Sequence, residues 1–452
     1  MSQGQAGQNQ LIVSVSGIRG IIGRDLTPEI ACRFGAAHGT FLQGGSVVVS
    51  RDGRPSGDML RRAVIAGLQS TGCNVQDIDV APTPTCGFAV KSLQAAGGIQ
   101  VTASHNPAEW NGLKLFGATG EVLTAAHGKQ VAEMFASGAF QRRGWDQLGK
   151  VHDARGAERL HQARVLELVD GARLRQRHFR VFLDANGGSG GVLGSSLLEA
   201  FGCTVIGQGC TADGHFLHTP EPTAENLRDV CPLVKQHETA IGFVLDPDAD
   251  RLALIDERGR YIGEELTLAL AVQYRLQQEP GPVVVNMSTS RVVEDIAARA
   301  NSICHRSAVG EANVVEKMRE VGATIGGEGN GGVIDRRVGG VRDPFIGMGL
   351  ILSLMAETGR PLSELADALP TYHIQKDKYP VPAERLPELF AVLERQFPEA
   401  KVNRLDGLRL DWADRWLHVR PSNTEPIVRV IAEAPQAADA MRLCQEVGRL
   451  LG

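Results

Sequence analysis

Residues 102–107 read TASHNP and place a hydroxyl beside an imidazole on a turn. A strand-like run over 99–102 ends just before Ser104 and His105, and Asn106-Pro107 follows at once. Asn-Pro is a strong turn signal, and serine is common in turns. On these six residues alone, a plain turn is favoured over a nucleophilic site.

Three carboxylates, Asp246, Asp248 and Asp250, stand at alternate positions where an apolar strand ends, in GFVLDPDADRLALID (242–256). Carboxylates this close repel one another strongly unless a cation lies between them. Mg²⁺ prefers such hard oxygen ligands and leaves positions for water and a phosphate oxygen. The alternative is a solvated acidic turn, but the apolar runs on both sides favour a magnesium site. The loop lacks the glycine and the distal glutamate of an EF-hand.

Residues 326–334, GGEGNGGVI, contain Glu328 and Asn330 among five glycines. Glycines let the backbone approach a ligand closely, and a carboxylate and an amide are suited to binding sugar hydroxyls. A flexible connector explains the composition equally well.

Residues 420–426, RPSNTEP, form a candidate phosphate loop that includes Arg420, Ser422, Asn423 and Thr424, with Arg429 just after it. Arginine, hydroxyls, an amide and backbone N–H groups in a turn are suited to a phosphate dianion. A bare turn would explain Pro-Ser-Asn as well, but phosphate binding is the favoured interpretation.

The elements around these loops follow a repeated pattern. Segments 47–75, 181–206 and 283–305 each contain a short β-branched run, a polar or glycine-rich loop and a helical pattern. This pattern predicts strand–helix–strand units in buried parallel sheets. The last part of the chain is proline-rich near 379–390, and its two strand patterns precede a helical one, which predicts a smaller α+β domain.

The predicted fold class is therefore α/β, with three related α/β domains of mixed, mostly parallel sheets and a smaller C-terminal α+β domain. A chain of 452 residues is long enough for several domains. We expect boundaries near residues 153, 258 and 370, which divide the chain into 1–153, 154–258, 259–370 and 371–452. Each of these domains contains one of the four loops.

The composition argues against several classes of partner. The net charge of -5, from 47 basic and 52 acidic residues, gives no general attraction to nucleic acid or to a membrane surface, so neither is expected as a partner. Eight scattered cysteines without a CxxC pair argue against a zinc site and fit a reducing compartment. Residues 1–10 lack the basic and apolar regions of a signal peptide, and no apolar run approaches the roughly 18–20 residues of a membrane span. We therefore expect a cytoplasmic protein.

The four loops TASHNP, DPDADR, GEGNGG and RPSNTEP, in this order, resemble the α-D-phosphohexomutase family over about residues 16–435. The resemblance implies four domains around one central cleft and a small-molecule phosphosugar substrate. It implies interconversion of a hexose 6-phosphate and a hexose 1-phosphate, with Mg²⁺ as cofactor and hexose 1,6-bisphosphate as intermediate and activator. It leaves monomer and homodimer open.

The resemblance also implies roles for the residues of the first two loops. Ser104 would carry a phosphate in the resting enzyme, and Asp246, Asp248 and Asp250 would hold Mg²⁺ against it. His105 and Lys114 match residues near the reacting hydroxyl. Lys114 is expected to shuttle the proton, provided that Mg²⁺ and nearby arginines depress its pKa toward neutrality. Arg19 and Arg251 match positions that grip the phosphoserine or the transferring group.

In the other two loops, Glu328 would hold sugar hydroxyls, and Asn330 is expected to contact the hexose. The RPSNTEP residues Arg420, Ser422, Asn423 and Thr424, together with Arg429, would hold the phosphate that is not reacting.

Two departures from the family pattern stand out. Many members carry Glu-x-Ser-Gly-His in the sugar loop, whereas this chain has Glu328-Gly329-Asn330-Gly331-Gly332. With VGEANVVEKM (309–318), the loop is similar to archaeal-type members, many assigned as phosphoglucosamine mutases. Glucosamine phosphate is therefore favoured, with phosphomannomutase/phosphoglucomutase as the alternative. In addition, SRDGRPSG (50–57) replaces the commoner Gly-Arg-Asp-Thr-Arg-Pro-Ser-Gly.

Two other classes of function compete with a mutase. A metal-dependent sugar phosphatase would use the aspartates but would not need a distal phosphate site. A non-catalytic sugar-phosphate sensor would be expected to lose catalytic groups, yet Ser104, Lys114 and the three aspartates are present.

Overall fold

The computed structural model describes residues 11–14, 16–421 and 427–451. Its first unit comprises β1 (Ile12–Ser14), β2 (Gly17–Ile21), α1 (Pro28–Phe41), β3 (Gly45–Arg51), α2 (Gly57–Ser70), β4 (Cys73–Val80), α3 (Thr83–Ser92), β5 (Gly97–Val101), β6 (Trp110–Gly117), α4 (Ala125–Ser137) and β7 (Val151–Asp153). The seven strands form one mixed sheet in the order β1-β2-β6-β5-β3-β4-β7. Thr27 caps the N-terminus of α1, where Pro28 occupies the first turn, and Gly138 ends α4 in a left-handed conformation.

The second unit comprises α5 (Ala157–Leu168), α6 (Gly171–Arg177), β8 (Arg180–Asp184), α7 (Gly190–Ala200), β9 (Thr204–Gln208), α8 (Cys231–Gln236), β10 (Ile241–Leu245) and β11 (Leu252–Asp256). Its four strands are ordered β11-β10-β8-β9. Strand β10 is buried along its whole length, which agrees with the continuous apolar run in the sequence.

The third unit comprises α9 (Glu264–Gln278), β12 (Val283–Asn286), α10 (Val292–Arg299), β13 (Cys304–Ser307), α11 (Glu311–Val321), β14 (Ile325–Glu328), β15 (Gly332–Asp335), α12 (Pro344–Thr358) and α13 (Leu362–Asp367), with strand order β13-β12-β14-β15. The fourth comprises β16 (His373–Tyr379), a 3₁₀ turn (Ala383–Arg385), α14 (Leu386–Gln396), β17 (Lys401–Asn403), β18 (Leu408–Asp411), β19 (Trp416–Pro421), β20 (Val428–Ala434) and α15 (Ala437–Leu451). Its antiparallel sheet is ordered β16-β20-β19-β18-β17.

The predicted repeat is confirmed by strand pairing. Within each repeat the two strands joined by one helix are parallel neighbours: β3 with β4, β8 with β9, and β12 with β13. The second and third sheets each have two parallel pairings and one antiparallel pairing. The predicted fold class, three α/β units and a smaller α+β unit, is therefore confirmed, while the boundaries at 153, 258 and 370 stay predictions.

Each of the four predicted loops joins two antiparallel neighbours of its own sheet. TASHNP lies between β5 and β6, DPDADR between β10 and β11, GEGNGG between β14 and β15, and RPSNTEP between β19 and β20. Because both strands next to each loop belong to a sheet, the described polar residues of these loops stand on strands that the core holds in place.

Helix α12 holds the metal loop and the sugar loop in a common framework. It is buried along almost its whole length, from Pro344 to Ala356, and is apolar on all sides. It contacts α9 of the third unit and α5 and α6 of the second, and one hydrophobic core runs through both units. Among the described residues, none of the helices has the length and apolar character needed to cross a membrane.

Candidate functional site

The TASHNP loop presents Ser104 in a strained conformation. Its φ is 51°, in the left-handed region that costs an L-residue about 1–2 kcal/mol, and its side chain is buried. The backbone N–H of Ser104 donates to Thr102 Oγ1 at 2.8 Å. The hydroxyl donates to Asp246 Oδ2 at 3.1 Å and lies 3.2 Å from His105 Nδ1. The structure thus brings together the two loops that the sequence places 142 residues apart.

A buried ion pair between Asp52 and Arg54 holds this loop in place. Arg54 is fully buried, and its Nε donates to Asp52 Oδ2 at 3.1 Å. Asp52 also accepts a hydrogen bond from Thr102 Oγ1 at 2.7 Å. The terminal nitrogens of Arg54 donate to three backbone carbonyls of the serine loop, each at 2.7 Å, at Ser104, Asn106 and Pro107. Such charged hydrogen bonds hold the strained loop in one position.

Gly53, the departure in SRDGRPSG, lies between these two residues at a contact with the second unit. A Cβ at position 53 would overlap the carbonyl oxygen of Gly187 and come within 3.1 Å of Ala212 C and 3.2 Å of Gly214 N. All three neighbours are backbone atoms, which cannot rotate away. Close approach of the two backbones therefore explains why this chain has glycine here.

The three aspartates of DPDADR form a compact, fully buried cluster. One oxygen from each of Asp246, Asp248 and Asp250 lies within 4.8 Å of the others. Burial and the charges of Asp248 and Asp250 raise the pKa of Asp246 well above its usual value. Asp248 Oδ1 and Asp250 Oδ1 are buried without a hydrogen-bond partner. Buried carboxylate oxygens that lack a donor are suitable ligands for a divalent cation, so these residues fit Mg²⁺.

Lys114, on β6, binds two members of this cluster. Its Nζ lies 3.0 Å from Asp248 Oδ2 and 2.7 Å from Asp250 Oδ2. Burial lowers the pKa of Lys114, but these two carboxylates outweigh it and raise the pKa above its usual value. The expected depression of the Lys114 pKa depends on Mg²⁺ at these carboxylates and stays a prediction. Thr83 also reaches Asp248 Oδ2, at 2.7 Å.

Three further predicted residues surround the serine and the aspartates. The backbone N–H of Arg251 donates to Asp246 Oδ1 at 3.0 Å, and its guanidinium faces Glu221. Burial and the charges of Arg251 and Arg19 lower the pKa of His105 to about 2, so this imidazole is neutral. Burial also lowers the pKa of Arg19, although the charges of Asp248 and Asp250 act in the opposite direction. Arg19 therefore lies within electrostatic reach of the cluster, and its expected role in gripping the phosphoserine stays a prediction.

The sugar loop is connected to the metal loop by Arg342, which sequence reasoning missed. One terminal nitrogen of Arg342 lies 2.6 Å from Asp250 Oδ2 and the other 3.1 Å from Glu328 Oε2. Glu328 Oε1 accepts hydrogen bonds from Asn286 Nδ2 at 2.8 Å and from the Gly310 N–H at 3.0 Å. The predicted sugar-binding carboxylate is therefore held by three donors from its own unit.

Two other residues of the sugar loop region matter for the site. The side-chain oxygen of Asn330 is buried without a hydrogen-bond partner. Glu311, in the quoted segment 309–318, accepts the Arg342 N–H at 2.7 Å. Burial raises the pKa of Glu311 although the charges of Arg342 and Lys114 lower it. Glu311 therefore places a carboxylate of the third unit within electrostatic reach of Lys114.

The fourth unit contributes a row of cations. Arg420 on β19 lies directly opposite Arg429 on β20, and Arg429 lies opposite Lys378 on β16. Directly paired residues project from the same face of a sheet, where like charges are destabilising unless an anion lies nearby. Ser422, Asn423 and Thr424 lie outside the residues that the structure describes.

The chain matches family descriptions along most of its length. Its four segments match the phosphoglucomutase/phosphomannomutase alpha/beta/alpha domains I, II and III and the C-terminal domain of the same family. The matched residues are 10–142, 160–259, 263–372 and 376–450. Each of the four loops lies inside a different match.

Curated relatives and a solved structure agree with these matches. The chain is 37% identical over 437 residues, 95% of each chain, to the "Probable phosphoglucosamine mutase" of Methanopyrus kandleri. It is 38% identical over 428 residues, 92% of this chain and 93% of the relative, to the "Phosphoglucomutase/phosphomannomutase" of Thermococcus kodakarensis. A crystal structure of a phosphoglucomutase/phosphomannomutase family protein from Burkholderia thailandensis superposes with a TM-score of 0.87 at 28% identity, covering 97% of this chain and 96% of that one.

Proposed function

Since the chain belongs to the phosphoglucomutase/phosphomannomutase family, we propose that it interconverts glucosamine 6-phosphate and glucosamine 1-phosphate through a phosphoserine at Ser104. The chain is a phosphohexomutase and therefore an isomerase. The observation that carries the assignment of Ser104 is its hydroxyl, held in a strained turn 3.1 Å from Asp246. In a solvated turn, the serine hydroxyl would face water, whereas Ser104 is buried and contacts an aspartate of the cluster.

In the first half-reaction, the bond between Ser104 Oγ and phosphorus breaks while a bond forms from phosphorus to the free hydroxyl of the hexose monophosphate. The product is a hexose 1,6-bisphosphate, which reorients so that Ser104 Oγ takes back the other phosphoryl group. Mg²⁺, held by Asp246, Asp248, Asp250 and the phosphate on Ser104, would neutralise charge on the transferring group. Arg19 and Arg251 would supply further positive charge, since both interact electrostatically with the aspartates.

Lys114 remains the proposed proton shuttle for the sugar hydroxyl. Its ammonium is bound to Asp248 and Asp250, the same carboxylates that raise its pKa. A cation on these carboxylates would remove that effect and leave burial, which lowers the pKa of a lysine. His105 is neutral and lies 3.2 Å from the serine hydroxyl, so it can accept or donate one hydrogen bond there.

The phosphate that is not reacting would bind in the fourth unit. Arg420 and Arg429 stand side by side and provide guanidinium groups suited to a dianion. Ser422, Asn423 and Thr424 of the same loop would supply hydroxyl and amide donors. Because the substrate binds in two orientations, one such site serves both half-reactions.

The preference for glucosamine rests on the sugar loop and on the relatives. Glu328 would bind sugar hydroxyls, and the unpartnered oxygen of Asn330 is an acceptor suited to an amino group on the hexose. Seven curated relatives at 32–37% identity are described as probable phosphoglucosamine mutases. The Thermococcus kodakarensis relative at 38% identity favours the second candidate, a phosphoglucomutase/phosphomannomutase.

A substrate panel tests this proposal. The purified protein is assayed with Mg²⁺ on glucosamine, glucose and mannose 6-phosphates, each with a trace of the matching 1,6-bisphosphate. We expect the highest kcat/KM for glucosamine 6-phosphate. A higher kcat/KM for glucose or mannose 6-phosphate would favour the second candidate, and release of inorganic phosphate without isomerisation would contradict both.

We also propose a cytoplasmic location. All eight cysteines are free thiols. Burial raises the pKa of the Cys86, Cys203 and Cys444 thiols to about 12 each, so these thiols are unreactive packing groups. Fractionation of the source cells with detection of the native protein tests the location, and recovery in a secreted or membrane fraction would contradict it.

A further inference from the structure

We propose that Asp406 positions the Arg420 guanidinium and couples the phosphate site of the fourth domain to the sugar loop of the third. The proposal rests on the function proposed above for Arg420. Asp406 lies in the turn between β17 and β18, outside the four loops, and it acts on the substrate through Arg420 without touching it.

The first observation is a shared carboxylate oxygen. Asp406 Oδ2 lies 3.0 Å from Arg420 Nε and accepts a hydrogen bond from the backbone N–H of Val309 at 2.9 Å. The two side chains of the ion pair are largely buried, with 8% of Arg420 and 16% of Asp406 exposed. One oxygen therefore connects an arginine of the fourth domain to the backbone of the third.

The ion pair leaves the phosphate-binding geometry of Arg420 intact. Asp406 Oδ2 faces Nε as an ion pair and not as a hydrogen bond, since Nε is buried without a hydrogen-bond partner. Bidentate binding of phosphate can use the two terminal nitrogens. Because the guanidinium is planar and rigid, a carboxylate held beside Nε favours one orientation of the group and so one direction for its two terminal nitrogens. Asp406 thus orients the group without taking the place of the phosphate.

The second observation is the close packing of Gly407 on the backbone of Arg420. Gly407 has a φ of 77°, and a Cβ there would overlap the Val419 carbonyl oxygen and come within 2.9 Å of Arg420 Cα. Only glycine allows this approach without strain. The Asp406-Gly407 turn therefore fixes both the backbone and the side chain of Arg420.

The third observation is a hydrogen-bonded histidine two residues before Arg420. His418 is fully buried, and burial lowers its pKa to about 4, so the ring is neutral. Its Nε2–H donates to the Asp406 carbonyl at 2.6 Å, and its Nδ1 lies 3.0 Å from Ser288 Oγ. Ser288 belongs to the third domain, which gives the turn a second connection across the domain interface.

The segment that Asp406 contacts leads directly to the sugar loop. After Val309, the N–H of Gly310 donates to Glu328 Oε1 at 3.0 Å, and Glu311 accepts the N–H of Arg342 at 2.7 Å. Three successive residues thus contact Asp406, the sugar-binding carboxylate and the arginine that reaches the metal loop. Through this segment, Asp406 fixes the distance between the distal phosphate and the sugar hydroxyls held by Glu328.

The test compares Asp406→Asn, Arg420→Ala and the double variant in the full chain. Isothermal titration with glucosamine 6-phosphate and with glucose 6-phosphate measures Kd, and steady-state kinetics give KM and kcat. Because asparagine keeps the shape but loses the charge, we expect Asp406→Asn to raise Kd and KM about tenfold, with kcat changed by less than about threefold. In the Arg420→Ala background, the same change should raise Kd by less than about twofold.

Glu433→Gln is the matched control. Glu433 also joins the two domains, by accepting the Arg291 N–H at 3.0 Å, and it lies opposite Trp416, not Arg420, and accepts the Trp416 Nε1–H at 2.7 Å. We expect its Kd to stay within about twofold of wild type. Asp406→Glu keeps the carboxylate but moves it by one methylene, so its Kd should lie between those of wild type and Asp406→Asn. If the asparagine variant fails to fold, this smaller rise in Kd should still disappear in the Arg420→Ala background, and its persistence there would overturn the positioning role.

The outcomes separate this proposal from the proposed function. If Arg420→Ala binds both sugar phosphates as wild type does, the phosphate site itself is wrong. If Arg420→Ala binds weakly but Asp406→Asn binds normally, the positioning role is overturned while the proposed function stands. The same conclusion follows if Asp406→Asn raises Kd equally in the wild-type and Arg420→Ala backgrounds. An equal loss in Glu433→Gln would show that general domain docking, and not Asp406, is responsible.

Discussion

Replacing Gly53 with a larger residue should destabilise the contact between the first two domains, although the commoner residue at this position in the family is threonine. A Cβ at position 53 would overlap the Gly187 carbonyl oxygen and come within 3.1 Å of Ala212 C and 3.2 Å of Gly214 N. All of these contacts are to backbone, so relief requires movement of the loop itself. Gly53 lies between Asp52 and Arg54, and Arg54 donates to the Ser104 carbonyl at 2.7 Å, so this movement would reach the serine.

The expected magnitude follows from overpacking of a well-packed site, which costs about 1–3 kcal/mol. For Gly53→Ala we expect the melting temperature to fall by about 2–12 °C, since about 1 kcal/mol corresponds to about 2–4 °C in a unit of this size. Gly53→Thr adds two more heavy atoms and should lower it further. We expect kcat/KM to fall about tenfold, because about 1.4 kcal/mol of misplacement at the serine corresponds to a factor of ten.

The assay is thermal unfolding of wild type, Gly53→Ala, Gly53→Thr and a control, with kinetics on the same samples. Gly281→Ala is a suitable control, because a Cβ there meets nothing within 4 Å and its φ is not positive. The control should melt within about 2 °C of wild type, since a substitution that meets no neighbouring atom should change stability by less than about 0.5 kcal/mol. If Gly53→Ala melts with the control and keeps full activity, the argument from backbone contact is refuted.

Three further predictions concern the metal loop, the sugar loop and a buried histidine. Asp248→Asn removes one of the clustered carboxylates, so it should weaken Mg²⁺ binding measured by calorimetry; unchanged Mg²⁺ affinity would make the cluster structural. Asn330→Ser should change the ratio of glucosamine to glucose activity by about 2- to 12-fold, the worth of one hydrogen bond, and an unchanged ratio would place the preference elsewhere. His218 Nε2 lies 3.1 Å from Asp184; burial lowers its pKa, but the hydrogen bond and charge of Asp184 outweigh this and raise it above the usual value. The stability that this ion pair contributes should be complete below about pH 6.5 and should be lost as the pH rises through the folded-state pKa. The free energies of unfolding of wild type and His218→Gln should therefore differ most in acid. A difference that grows with pH would contradict this prediction.

Much of the fold could be predicted because the repeats are local patterns. The segments at 47–75, 181–206 and 283–305 each encode a strand, a helix and a strand in sequence, and their parallel pairing follows from chain connectivity. The aspartate cluster was predicted for a similar reason, since alternate residues in one loop lie close together wherever the loop goes.

The site residues that could not be predicted contact partners that are far away in the sequence. Arg342 reaches Asp250 over 92 residues and Thr83 reaches Asp248 over 165, and neither has a neighbouring residue pattern that indicates its partner. Arg54 was visible in SRDGRPSG, but its three carbonyl acceptors belong to a loop about 50 residues away. The pKa of Lys114 could not be read from the sequence either, because its direction depends on which charges the fold places nearest.

The role of Ser104 as the phosphoryl carrier is decided by intact-protein and peptide mass spectrometry after incubation with Mg²⁺ and a hexose 1,6-bisphosphate. We predict that wild type gains one phosphoryl group on Ser104 and loses it when excess hexose monophosphate is added, with bisphosphate appearing in equal amount. Ser104→Ala should gain none and show no mutase activity. A phosphoryl group on another residue, or full mutase activity in Ser104→Ala, would contradict the mechanism.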